Sequence, residues 1–119
     1  MVDEVRRIPN WINGAVANPG GDGWMDKFDP HSGNLLARVA DSSADDAAAA
    51  VAAAAAAFEG WAGLTSVRRG QILGDVVALM KHRADELAEC IAVETGKPPQ
   101  DAKGETGGAI LQGEYFAGE

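Results

Sequence analysis

The feature that most constrains this chain is a run of alanine from residue 47 to residue 57, interrupted only by Val51. Alanine is the strongest helix former, so the run predicts a helix, with Ser43 as its N-cap and Asp46 in an acidic first turn. Its apolar side chains fall in one narrow stripe at helical spacing, formed by Ala47, Val51, Ala54, Ala55 and Phe58. Because a methyl group buries little area, this helix contributes modest burial by itself and suits close approach to another element.

The composition supports the same interpretation. A chain of 119 residues is long enough for one domain, and 46% of it is hydrophobic. Much of that fraction is alanine, so the bulky side chains that normally build a core are few. We therefore expect a chain whose helices lie against a neighbouring layer that it does not itself supply.

The charge excludes several classes of partner. Ten basic and eighteen acidic residues give a formal net charge of −8. This disfavours nucleic acid, whose binding needs a basic surface, and it disfavours a polybasic membrane-surface module. The acidic start of the chain and the absence of a long apolar run predict neither a signal peptide nor a membrane span. With Cys90 as the only cysteine, a reducing, cytoplasmic setting is expected.

Residues 1–40 have the pattern of a small antiparallel β element. Asn13 and Gly14 form a tight-turn dipeptide within the segment 11–16, which predicts a hairpin. Residues 24–28 alternate as a strand does, and the polar residues 29–34 predict a turn that leads to a partner strand at 35–40.

Residues 41–119 have the pattern of four helices. The first follows Ser43 and ends near Gly60 and Gly63, and the second begins near Thr65 or Ser66. A third runs from about Ala84 to the segment 95–98, and a fourth begins with Pro98 and Pro99 in its first turn. The fold class predicted is therefore α+β, with a β extension at 1–40 and a helical part at 41–119.

The fourth helix contains an unusual number of glycines: Gly104, Gly107, Gly108 and Gly113. Each costs about 0.8–1 kcal/mol relative to alanine in a helix interior. Such a helix needs a reason for its glycines, which is either close packing against another helix or access for a ligand.

No set of residues in the chain forms an active site by itself. Cys90 lies among Glu86, Glu89 and Glu94, which lack the electropositive character that activates a thiol, so it is interpreted as a small core or boundary residue. The glycine-rich segments match neither a dinucleotide-binding fingerprint nor a phosphate-binding loop. We therefore predict no catalytic and no cofactor-binding residue here.

Several segments, taken in order, carry a resemblance that no single one would. They are Trp11-Ile12-Asn13-Gly14, Phe28-Asp29-Pro30-His31-Ser32-Gly33, Ala47 to Phe58 with Trp61-Ala62, Arg69-Gly70-Gln71-Ile72-Leu73, Glu94-Thr95-Gly96-Lys97-Pro98 and Tyr115-Phe116-Ala117-Gly118. Together they resemble the N-terminal quarter of the aldehyde dehydrogenase superfamily. Asp29, where asparagine is usual, and the glycine-heavy fourth helix depart from that pattern.

The resemblance implies an N-terminal portion of an enzyme that oxidises an aldehyde to a carboxylic acid with NAD or NADP. It implies a helical layer packed on a dinucleotide-binding domain, and a homo-oligomer when the enzyme is complete. The family's catalytic cysteine, general base and cofactor fingerprint lie outside this chain, and Cys90 does not match that cysteine. The chain alone is therefore expected to be inactive and poorly stable.

Two local roles follow from the resemblance. The helix after residues 94–98 borders the family's aldehyde entrance, and counting back from Tyr115 places Gly104 and Gly108 at its lining positions. Counting forward from Lys97 gives Glu105 and Ala109 instead. The glycines suggest a wide entrance for a bulky or aromatic aldehyde, with close helix packing as the alternative.

The second role is a monovalent cation site formed by backbone carbonyls, whose matching positions are Lys27, Phe28 and Glu94. The competing interpretation of the whole chain is a stand-alone acidic helical module that binds a protein partner through its alanine and glycine faces.

Overall fold

The computed structural model describes residues 5–118, and these residues fall into two compact units that divide after Gly60. All strands lie between residues 7 and 40, and the helices begin at residue 44. The predicted change from strands to helices after residue 40 is therefore observed. The contacts, however, group the first helix as far as Gly60 with the strands.

Five short strands form two sheets in the first unit. They are β1 (Arg7–Ile8), β2 (Asn10–Ile12), β3 (Ala15–Ala17), β4 (Trp24–Phe28) and β5 (Leu35–Ala40). Strands β2 and β3 form the predicted hairpin, and its turn residues Asn13 and Gly14 have φ values of 54° and 73°. Positive φ at both positions is what the favoured two-residue hairpin turn requires, which explains the Asn-Gly pair.

The second sheet has the order β1-β5-β4. The predicted antiparallel pairing of β4 with β5 is confirmed, and a register shift interrupts it between Lys27 and Phe28. Strand β1 pairs with β5 in the parallel direction, so the β element is not wholly antiparallel, in contrast to the prediction. Two residues give too short a pattern to be recognised as a strand in the sequence.

Asp29 organises the turn between β4 and β5. Its carboxylate accepts hydrogen bonds from the backbone N–H of His31 and from the hydroxyl of Ser32, each at 2.8 Å. These bonds favour the ionised carboxylate, so the pKa of Asp29 lies below its ordinary value. The carboxylate of an aspartate thus supplies the acceptors that hold this turn.

Helix α1 (Ala44–Ala62) begins with the predicted cap. The backbone N–H of Ser43 donates to Oδ2 of Asp46 at 2.8 Å, and the backbone N–H of Asp46 donates to the Ser43 hydroxyl at 3.2 Å. The same carboxylate also accepts from the backbone N–H of Gly20 at 3.3 Å. Because the N–H groups of Ser43 and Gly20 stabilise the charged form, the pKa of Asp46 is lowered.

None of the residues of α1 is buried in the described part of the chain. The partly covered positions are Asp46, Ala50 and Ala53, whereas the bulkiest members of the predicted stripe, Val51 and Phe58, are exposed. The stripe therefore exists, and the strands of the first unit leave it exposed. This agrees with the expectation that the helix is shaped for a layer outside the chain.

Three helices form the second unit: α2 (Ser66–His82), α3 (Ala84–Thr95) and α4 (Pro99–Gly118). Thr65 caps α2 by accepting a hydrogen bond from the backbone N–H of Arg68 at 3.2 Å, as predicted. Gly96 ends α3 with a left-handed φ of 73°. Pro99 occupies the first position of α4, where a missing N–H has no cost.

Helix α4 packs against α2 and α3 through one narrow face. Ala102, Thr106 and Ile110 are buried at four-residue spacing, and they are joined by Val77 of α2 and Ala88 of α3. The hydroxyl of Thr106 donates to the backbone carbonyl of Ala102 at 3.0 Å, so this buried polar group is satisfied. Small side chains therefore form most of this core.

Two glycines permit α2 and α4 to approach closely. A Cβ atom at Gly70 would lie 2.6 Å from the carbonyl oxygen of Ala117, and one at Gly113 would lie 2.7 Å from a methyl carbon of Val77. Both distances are far below van der Waals contact. Of the glycines in α4, Gly113 thus has the close-packing reason that the sequence suggested.

We expect Gly70→Ala to destabilise the second unit, because the new methyl group would push against backbone that cannot rotate away. Overpacking costs about 1–3 kcal/mol and would exceed the helix-propensity gain of about 1 kcal/mol. Gly74→Ala is the matched control, since it lies one turn later in α2 with open space at its Cβ position. It should stabilise the helix. Urea unfolding followed by helical circular dichroism measures both, and equal shifts in the same direction would contradict this packing.

Candidate functional site

Helix α4 has a second face, opposite to the packed one. At about 100° of rotation per residue, Gly104 and Gly108 lie about 160° from the centre of the buried face, and Gly107 lies about 100° from it, on the side of the helix. A Cβ atom built at any of these three glycines would meet nothing within 4 Å. Within the described residues, close helix packing therefore explains Gly113 and does not explain these three. We call the surface formed by Gly104, Gly107 and Gly108 the glycine face.

The glycine face continues into an apolar surface toward the end of the helix. Leu111 and Tyr115 follow on the same side and are 66% and 63% exposed. The ring of Tyr115 meets that of Phe116 edge to face, with centroids 5.4 Å apart. One side of α4 thus presents bare backbone between residues 104 and 108 and large apolar side chains at residues 111 and 115.

The glycine face has an energetic cost. Three interior glycines reduce helix stability by about 2.4–3 kcal/mol relative to alanine, and no atoms of the described chain cover them in return. The first half of α4 is therefore held in a helix by its contacts on the other face and by its flanking side chains.

The alternative entrance positions, Glu105 and Ala109, lie on the side of α4. Glu105 and Ala109 lie between the glycine face and the buried face, and both are exposed. Glu105 forms an ion pair with Lys97 in the loop that precedes α4. The two registers therefore assign different chemistry to the proposed entrance. Gly104 and Gly108 would present bare backbone, whereas Glu105 and Ala109 would present a paired carboxylate and a methyl group.

Further ion pairs connect α4 to its neighbours. Lys103 contacts Asp85 of α3 at 3.1 Å, and Glu114 contacts Lys81 of α2. The sequence reasoning missed these pairs, because the partners are distant in sequence and only the packing of the helices brings them together. An open groove of about 630 Å³ between α2 and α4 was also missed; Gly70, Gly74 and Val77 are among its lining residues.

The predicted cation positions belong to different units of the chain. Lys27 and Phe28 end strand β4 at the point where its register shifts, and Glu94 lies in the last turn of α3. Backbone carbonyl oxygens are among the ligands that hard cations accept in proteins. Among residues 5–118, no group of three or more His, Cys, Asp or Glu side chains could hold a metal ion.

The other sequence candidates agree with a scaffold role. Cys90 is exposed on α3, so the structure does not place it in the core. The glycine-rich loop at residues 20–23 precedes a strand, and the glycines of α4 lie inside a helix. Neither connects a strand to the start of a helix, which dinucleotide binding requires, so no NAD(P)-binding role is assigned to them. No helix within residues 5–118 is long and apolar enough to span a membrane.

Short strands followed by helices that pack through small residues agree with a portion of a larger α/β protein. The aldehyde dehydrogenase family model matches residues 17–119, and the chain belongs to that family. It corresponds to the N-terminal portion of such an enzyme, as the sequence resemblance implied. The membership favours this interpretation over the stand-alone interaction module.

Individual relatives agree with the family model. The malonate-semialdehyde dehydrogenase of Bacillus subtilis subsp. natto is 35% identical over 115 residues, which cover 97% of this chain and 24% of that protein. The NAD-dependent aldehyde dehydrogenase of Sinorhizobium meliloti superposes with a TM-score of 0.90 at 30% identity, covering 97% of this chain and 24% of that one. An NADP-dependent enzyme of Escherichia coli gives a TM-score of 0.90 at 35% identity, over 94% and 23%. The chain therefore spans about a quarter of the length of its relatives.

Proposed function

We propose that this chain is the N-terminal scaffold of a complete enzyme that oxidises an aldehyde to a carboxylic acid with NAD or NADP. The family match over residues 17–119 carries the proposal. The exposed stripe of α1 supports the scaffold role, because its methyl groups bury apolar area only when another layer lies on them. The residues of this chain supply structure and part of the substrate entrance, while the cofactor and the nucleophile belong to the rest of the enzyme.

The complete protein should reduce NAD or NADP in the presence of an aldehyde, and the chain of residues 1–119 alone should not. The reason is that the family resemblance places the catalytic cysteine and the general base outside this chain. The measurement is formation of reduced cofactor, followed by absorbance, with the same aldehydes and both cofactors. Turnover by residues 1–119 alone would contradict the scaffold role, and absence of turnover by the complete protein would contradict the proposed activity.

The glycine face supplies a hypothesis about the substrate. We propose that Gly104 and Gly108 line the entrance and leave room for a bulky or aromatic aldehyde. The open space at both Cβ positions supports this assignment. The register that uses Glu105 and Ala109 would instead place a carboxylate beside the incoming aldehyde.

Gly108→Phe in the complete enzyme should lower kcat/KM for benzaldehyde about tenfold or more relative to acetaldehyde, because a phenyl ring would fill the space over the glycine face. Gly108→Ala is the control, since it stiffens the helix in the same way but adds only a methyl group. It should leave the preference nearly unchanged. An unchanged preference in Gly108→Phe would reject the entrance assignment.

We propose further that the backbone carbonyls of Lys27, Phe28 and Glu94 bind a monovalent cation in the complete enzyme. The end of β4 and the last turn of α3 supply carbonyl oxygens of the kind that hard cations prefer. Because carbonyls are the ligands, the side chain of Glu94 is not itself required.

Replacing potassium or sodium chloride by choline chloride at equal ionic strength should lower the thermal stability of the complete enzyme, because choline is too large for a carbonyl site. The measurement is the melting temperature by calorimetry. Glu94→Gln should retain the same response to the cations. Equal melting temperatures in all three salts, or well-resolved density without an ion between these carbonyls, would contradict the site.

The complete enzyme is also proposed to be a cytoplasmic homo-oligomer, as the family resemblance and the single cysteine imply. A monomeric mass by light scattering would contradict the oligomer.

A further inference from the structure

The glycine face lies between two ion pairs. Lys103 and Glu105 stand on either side of Gly104 in sequence. Lys103 pairs with Asp85 of α3 at 3.1 Å, and Glu105 pairs with Lys97 in the loop before α4. Since successive residues of a helix are about 100° apart, the two charged side chains leave the helix on opposite flanks of the glycine face.

The two pairs are not equivalent. The side chains of Lys97 and Glu105 are 40% and 52% exposed, whereas Asp85 is 91% exposed. A more exposed charge is more strongly screened and gains less from its partner. The Lys97–Glu105 pair is therefore the stronger of the two, and it also links the start of α4 to the loop at residues 96–98 across the two prolines.

In the glycine-containing first half of α4, a weak interaction has a large effect on the equilibrium between the helical and the locally opened form. Three glycines reduce its intrinsic helix stability, and no atoms lie over them within 4 Å. Ala102 and Thr106 anchor one side of this segment, and its glycine side leaves backbone hydrogen bonds exposed, which favours local opening before the whole protein unfolds. An exposed ion pair shifts such a local equilibrium by about two- to fivefold.

We propose that Lys97 and Glu105 are positioning residues, which hold the glycine face in its helical form and thereby keep the aldehyde entrance at a fixed width. The inference rests on the proposed function, because it takes the glycine face to be the entrance. Neither residue touches the reacting atoms. Their effect is on how well a large aldehyde is admitted, so it falls on KM and leaves kcat largely unchanged.

The first measurement is amide hydrogen exchange of residues 100–108 in the complete enzyme. Glu105→Gln keeps the length and helix propensity of the side chain and removes its charge. Exchange at Gly104, Gly107 and Gly108 should become about two- to fivefold faster at 0.1 M salt. The difference from the parent enzyme should shrink at 1 M salt, where the Debye length falls to about 3 Å. The double variant Lys97→Glu with Glu105→Lys should restore slow exchange.

The second measurement is the KM for benzaldehyde and for acetaldehyde. Glu105→Gln should change the KM for benzaldehyde by about two- to fivefold, with little change for acetaldehyde or in kcat for either. Glu114→Gln is the matched control, because it breaks a comparable exposed pair with Lys81 in the other half of α4. It should alter neither the exchange of residues 100–108 nor the two KM values.

The outcomes separate this inference from the function on which it rests. Unchanged exchange in Glu105→Gln, or the same change in Glu114→Gln, would overturn the positioning role even if the enzyme oxidises aldehydes. Faster exchange with both KM values unchanged would overturn the link to the entrance. A complete protein that oxidises no aldehyde would overturn the proposed function, while the exchange data would still decide whether the pair holds the helix.

Discussion

The close contact between helices α2 and α4 is the constraint on which the second unit depends. It exists because Gly70 lets the backbone of α2 approach the carbonyl of Ala117, and because Gly113 leaves space for Val77. A core built from Ala88, Ala102 and Thr106 buries little area per residue, so its stability depends on short distances between backbones rather than on large side chains. Close approach of this kind is possible only where a side chain is missing.

The packing of α4 against α2 separates the glycines of α4 into two groups with different surroundings. Gly113 lies on the packed face beside Val77, whereas Gly104 and Gly108 lie on the opposite face and Gly107 on the side, all three with open space at their Cβ positions. Once one face of the helix is anchored, the orientation of the other face follows from helix geometry. The packing of α4 thus determines which way its bare backbone points, and this connects the stability of the unit to the site proposed for the aldehyde.

The local signals in the sequence predicted most of the elements. Asn13-Gly14 specified the hairpin, Thr65 and Ser43 specified two helix starts, and Pro99 specified a third. These signals succeed because each depends on backbone conformation or on hydrogen bonds between near neighbours in the chain. Strand β1 was missed because its two residues pair with a distant strand, and such pairing has no local pattern.

The covered side of α1 and the candidate site on α4 were harder to predict, because both depend on contacts between segments that are distant in the sequence. Alanine occupies nearly every position of α1, so hydrophobic periodicity could not show which side meets the strands, and the partly covered positions proved to be Asp46, Ala50 and Ala53. The number of glycines in α4 indicated that the helix needs them for close packing or for ligand access. The sequence could not show which explanation applies to which glycine, because that depends on the atoms that lie over each position. The ion pairs of Glu105 and Glu114 likewise depend on how separate segments meet.

A helix that must pack on one side and stay bare on the other cannot be optimised for stability alone. Alanine at Gly104, Gly107 and Gly108 would favour the helix, yet each methyl group would narrow the open surface. The charged flanks at Lys103 and Glu105 resolve this conflict in part, because they contribute stability from the sides without covering the face. The lower intrinsic stability of the segment is therefore the physical consequence of keeping its backbone accessible, and it is the stability–function compromise expected of the substrate entrance that we propose.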